Sequence, residues 1–221
     1  MQTQLPSHLP AMLALPEDHI SREALQFVKK HESPALYHHS IRSFIFARLY
    51  AVHKGLHREP DYKENLLFLS CLFHDMGLTD IGNGPQRFEV EGADQALLFL
   101  ADTPCSHQDA DIIWQAIALH TSSGIAERRG TIPLLTRMGI VMDFGGPLTA
   151  FVTDEQANAI FTAWPRLSLA THITDCIVGQ CRANPAKAHR YAIAGELLRE
   201  RSTGNGTTQL EENTIHGRWG N

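Results

Sequence analysis

Residues 66–77 read LLFLSCLFHDMG, and the fold turns on them. From Leu66 to Phe73 only Ser70 and Cys71 interrupt large apolar side chains, so no polar face develops. A surface helix keeps one face for water, and this pattern therefore predicts a helix over about 62–76 that is buried on all sides. Its neighbours are predicted to be helical too. Upstream, Ala24, Leu25, Phe27 and Val28 recur at helical spacing from Ser21 until Pro34 breaks the run. Leu36, Ile41, Phe44, Ile45, Leu49 and Val52 are expected to face inward on a helix over about 36–53, stopped by Gly55. Downstream, GLTDIGNGPQ at 77–86 reads as a loop. Helices are then predicted at about 88–101, 107–121, 131–144, 154–163, 167–183 and 186–200, with prolines 104, 133, 147, 165 and 185 as punctuation. There is no alternating β-branched run and no repeat of fixed period. The expected fold class is all-α: one helical domain of about eight or nine helices over 18–201, an irregular Pro-rich segment at 1–17 and a mobile tail at 202–221.

The bulk composition sets the class of partner. Among 221 residues, 43% are hydrophobic and 19% charged, with 19 basic against 24 acidic side chains and a net charge of −5. No basic run exceeds a pair, so the concentrated positive footprint of a nucleic-acid groove is missing. Cys71, Cys105, Cys176 and Cys181 show no CxxC spacing. Cys71 and Cys176 sit in or beside apolar runs and read as buried thiols in a reducing compartment. The start, MQTQLPSHLPAMLALPEDH, lacks the cationic region of a signal peptide, and no stretch has the apolar length of a membrane span. The expected setting is the cytoplasm, with a small-molecule substrate, no nucleic acid, no membrane, and a homo-oligomer left open.

Chemistry concentrates in buried polar positions. His74 and Asp75 close the most apolar helix, just before Gly77. A carboxylate there meets both desolvation and the negative end of the helix dipole, and a divalent cation removes both penalties. His39, in LYHHSIRSFIFARLY, lies among the inward positions of its helix, as either a core histidine or a ligand. Arg42, about one turn on, could pair with Asp75 and orient it. Asp143 lies in LLTRMGIVMDFGG, where so apolar a run demands a partner: Arg137, another base, or the metal. Gly139, one turn earlier, leaves room for another helix or an ion. Two imidazoles and two carboxylates suit Zn²⁺, Mn²⁺ or Fe²⁺.

The order His39, His74–Asp75, Asp143 on successive buried helices resembles the HD superfamily of metal-dependent hydrolases, through HSIR (39–42) and LSCLFHDMG (69–77). RFEVEGADQAL (87–97), IALHTSSGI (117–125) and LLTRMGIVMDFGG (134–146) are similar to the cyanamide hydratase branch, which carries an aromatic–Glu–x–x–Gly segment and then a histidine segment in that order. The resemblance implies an HD-type helical domain holding one divalent transition metal, zinc first and then iron or manganese, through His39, His74, Asp75 and Asp143. It also implies metal-activated hydration of a C≡N group, cyanamide giving urea, with Asp75, His120 and Glu91 as the catalytic set. His120 extends the inward stripe Ile113, Ala116, Ile117 and reads as a proton donor, a further ligand or a core histidine. Glu91 stands beside the stripe Val90, Ala93, Leu97, Leu100, as a solvated carboxylate or as an acceptor that orients water. The alternatives are an HD phosphohydrolase, with Arg42 or Arg87 gripping the phosphate, and a non-catalytic ligand-binding module.

Overall fold

The structure, a computed structural model, describes residues 9–203 and 206–221. In chain order its α-helices are α1 (Leu9–Leu13), α2 (His19–His31), α3 (Pro34–Lys54), α4 (Glu64–Phe73), α5 (Phe88–Leu100) and α6 (His107–Ala118). They continue as α7 (Thr131–Asp143), α8 (Asp154–Ala163), α9 (Leu169–Ala183), α10 (Ile193–Thr203) and α11 (Gln209–Ile215). Among the described residues there are thus eleven α-helices and no strand, an all-α domain. None of these helices is long and apolar enough to cross a membrane.

Local signals set the boundaries. Asp18, Ser33, Ser106 and Thr153 each accept a backbone N–H with the side chain and so start α2, α3, α6 and α8. Gly55, at φ 75°, stops α3 in the left-handed conformation that glycine tolerates best. Every side chain from Leu66 to Phe73 is buried, because α2, α3, α5, α6 and α7 surround α4.

The most extensive pairing joins α3 to α7. It depends on Gly139, where a Cβ would run into the Ser43 carbonyl and Ala47. Gly139→Ala is expected to force the helices apart and cost about 1–3 kcal/mol, read from the urea midpoint. An unchanged midpoint would show that the contact can relax.

Four expectations need correction. Val52 is 57% exposed and Ala51 takes the inward position, because α3 turns its last face outward. The last predicted helix starts at Ile193 rather than near 186, since a short 3-10 turn at Pro185–Lys187 and a left-handed Tyr191 (φ 63°) intervene. In the segment expected to be irregular, Leu9–Leu13 are helical and Leu9 is buried; residues 1–8 lie outside the described residues. The supposed tail is docked: a Thr208/Glu211 capping box starts α11. Trp219 donates its indole N–H to the Met142 carbonyl (2.7 Å) and stacks on Phe46 at 5.9 Å. Residues 204–205 lie outside the described residues. The four cysteines are free, with Cys71 buried and Cys176 only partly so.

Candidate metal centre

Three helix ends meet under α9. His39 comes from the first turns of α3, His74 and Asp75 directly follow α4, and His120 follows α6. All four side chains are buried. The histidines share one arrangement. The His39 Nδ1–H donates to Asp143 Oδ2 (2.6 Å), the His74 Nδ1–H to the Cys71 carbonyl (2.7 Å), and the His120 Nδ1–H to the Ile117 carbonyl (2.7 Å). With the proton fixed on Nδ1, each Nε2 keeps its lone pair, the tautomer a metal ligand needs.

The Nε2 atoms of His39 and His74 and a carboxylate oxygen of Asp75 lie within 4.8 Å of one another. His74 Nε2 comes to 3.1 Å from Asp75 Oδ2 without hydrogen-bond alignment. Neither Nε2 and neither Asp75 oxygen has a hydrogen-bond partner. Each buried polar atom left so costs about 1–3 kcal/mol, and more when charged. A divalent cation satisfies all of them at once, so the donor set fits a metal. Burial opposes the Asp75 charge, yet the His74, His39 and His120 imidazoles hold its carboxyl down at about 2. Asp75 in turn lifts His74 above its ordinary value against the effect of burial.

Asp143, expected as the fourth ligand, is committed elsewhere. Arg42 grips it as a fork, Nε to Oδ1 at 2.8 Å and Nη2 to Oδ2 at 2.8 Å, and His39 takes Oδ2 as well. Arg166 adds a 2.6 Å hydrogen bond from Nη1 to the Asp143 backbone carbonyl. Burial opposes the charge, but Arg42 and His39 hold the Asp143 carboxyl far below its usual range. Arg42 consequently orients Asp143, not Asp75. The close α3–α7 contact at Gly139 sets the two residues face to face.

Glu91 also moves out of the site. It accepts the Gln86 backbone N–H (2.6 Å) and braces the 83–87 loop. Glu89, rather than Glu91, lies near His120 and is 1% exposed. Arg87 donates to it at 2.6 Å, and so does the Thr121 hydroxyl at 2.6 Å. Burial works against its charge most strongly, and the Arg87 hydrogen bond, the His120 imidazole and the Thr121 hydroxyl together outweigh it to hold the Glu89 carboxyl low. The aromatic–Glu–x–x–Gly segment, as Phe88–Glu89–Val90–Glu91–Gly92, already put the glutamate at 89. Nothing in the sequence marked Arg166.

The His120 ring meets the His74 ring edge to face at 5.0 Å. Burial, then the neighbouring His74, push its pKa down to about 4. It is therefore neutral at physiological pH, an acceptor at Nε2 and not a ready proton donor. A cavity of about 300 Å³ opens over His39, His74, Asp75 and His120. Its walls are mostly apolar, with Ile140 and Val141 from α7 facing Ile173 and Ile177 from α9.

No protein-family model and no curated protein matches the chain.

Gly77 and Gly92 hold the floor in place. A Cβ on Gly77 would strike the Phe88 carbonyl, and one on Gly92 would come within 3.0 Å of the His74 carbonyl. The turn after Asp75 is thereby pressed against α5.

Proposed function

We propose that this chain is an HD-type, metal-dependent hydratase or hydrolase of a small uncharged molecule, with hydration of a C≡N group, cyanamide plus water giving urea, as its simplest reaction. The carrying observation is the convergence of partnerless buried donor atoms from His39, His74 and Asp75 on the floor of an apolar cavity. Two imidazoles and one carboxylate are a catalytic ligand set that leaves a position open; zinc is the first candidate, and Fe²⁺ uses the same donors. Such an ion supplies Lewis acidity, acidifying a water and polarising the substrate.

The chain's own residues do the rest. Asp143, held by Arg42 and Arg166, fixes the His39 ring through Nδ1. His120, unprotonated at Nε2, takes a proton from the attacking water and hands it to the substrate nitrogen. The apolar walls exclude competing water.

The committed cations favour an uncharged substrate over a phosphate. Arg42 is buried on Asp143 and Arg87 is paired with Glu89. Arg137 reaches the cavity, but its Nε sits on Glu127 and its Nη1 on the His120 carbonyl. Phosphate transfer needs free positive groups at the oxyanions.

One preparation of zinc-loaded protein tests both reactions, with urea released from cyanamide and phosphate from nucleotides followed side by side and Asp75→Ala as the blank. Urea alone is expected; metal-dependent phosphate without urea would replace this reading with the phosphohydrolase. His120→Gln is expected to keep the fold and the metal while lowering turnover by at least about 100-fold. Loss of metal together with activity would make His120 a ligand, and no change in either would make it a core histidine.

A further inference from the structure

The cavity is too large and too apolar for cyanamide alone. Its volume of about 300 Å³ corresponds to roughly ten water molecules, of which cyanamide displaces roughly two. Phe88 and Phe144 pack on the His120 and His39 rings, and α9, α10 and α11 add Ile173, Ile177, Ile193 and Leu210 to the walls. Water held there would find few polar partners, so the space is suited to hydrocarbon. The polar lining is the His39, His74 and Asp75 cluster with His120, Thr121 and Arg137, the last bonded to Glu127 and the His120 carbonyl. The Thr121 hydroxyl donates its proton to Glu89 and accepts from Arg87 Nη2 at 3.4 Å, which leaves one lone pair on its oxygen for a substrate N–H.

Resting on the reading that this site hydrates or hydrolyses a small uncharged molecule, we infer that the substrate is amphipathic: a nitrile- or amide-sized polar head over His74 and Asp75, carrying an apolar group of roughly four to six carbons under α9, α10 and α11. For the nitrile case the balance is R–C≡N plus H₂O giving R–C(=O)NH₂. Both hydrogens of the water end on the nitrogen, with no leaving group and no redox change.

The product-like primary amides acetamide, butanamide, hexanamide and octanamide are titrated calorimetrically into the zinc-loaded protein and into Asp75→Ala. Affinity should rise about fourfold per added methylene, the worth of burying one CH₂, and stop rising near hexanamide when the cavity is full. The slope should be the same in Asp75→Ala, since the apolar walls do not depend on the ion. Ile177→Trp should end the rise at butanamide, and Leu210→Phe serves the same purpose if the first variant does not fold. A flat series, or a rise that survives both cavity-filling variants, overturns the inference. The two readings fail separately. Urea production with a flat amide series leaves the proposed reaction standing and removes the apolar substrate. A rising series with no urea keeps the apolar substrate and removes cyanamide hydration.

Discussion

Asp75→Ala is expected to reduce the bound transition metal from about one ion per chain to a trace and to abolish turnover. Asp75 is the one carboxylate among the converging donors, and both its oxygens are buried without a partner. Without it, His39 and His74 offer two neutral nitrogens in an apolar setting, a weak site. Thermal or urea unfolding with and without Zn²⁺ reads this directly. At an ion concentration of 100 times Kd, the wild type gains about 2.7 kcal/mol, and the variant should gain almost nothing. The gain should grow as pH rises through neutrality. Asp75 holds His74 above its ordinary pKa, so below that value a proton occupies the nitrogen the ion needs. In the metal-free chain the same proton stabilises the fold at low pH, and that contribution fades as pH rises through the raised pKa. The holo-minus-apo difference therefore increases with pH. Metal retained at wild-type affinity in Asp75→Ala would remove the site.

Asp143→Ala is expected to be the most destabilising single change near the site. It strands the buried Arg42, whose Nε and Nη2 both donate to Asp143, and it takes a partner from Arg166. Removing one member of such a buried pair costs about 3–5 kcal/mol, visible as a lower urea midpoint. Converting the pair together, Arg42→Met with Asp143→Leu, should recover most of that stability, because Arg42 is no longer stranded and Arg166 keeps the backbone carbonyl of residue 143. Metal affinity should stay about 10–100-fold weak in the double variant, since His39 has lost the acceptor that orients it. If Asp143→Ala left stability untouched and removed all metal, Asp143 would be a direct ligand after all.

The sequence made some of this legible and hid the rest, for identifiable reasons. A polar residue inside an apolar run stands out because its burial is costly, which is why His39, His74, Asp75 and Asp143 could be singled out. The cost, however, does not name the partner: Asp143 belongs to Arg42 and His39 because α3 and α7 touch at Gly139, a tertiary fact. Glu91 stands out in the sequence because it lies beside large apolar side chains. The stripe Val90, Ala93, Leu97, Leu100 looked inward, yet Leu97 is 36% and Leu98 68% exposed. The buried residues of α5 are Phe88, Glu89, Glu91, Gly92, Ala93, Ala96 and Leu100. Small residues stand among them because α5 lies so close to the turn after Asp75. Gly and Asn made 202–221 look unstructured, whereas the Thr208/Glu211 box and Trp219 carried the opposite signal.

Gly77 and Gly139 sit where another backbone leaves no space for a side chain, and Gly92 where it leaves very little. A survey of variants scored only by the proposed activity is expected to rank these three beside His74 and Asp75, because losing the spacing and losing the donor should both lower it. Separating the two classes requires abundance to be scored alongside turnover: variants at the glycines are expected to fall in abundance, and variants at the donors to keep their abundance.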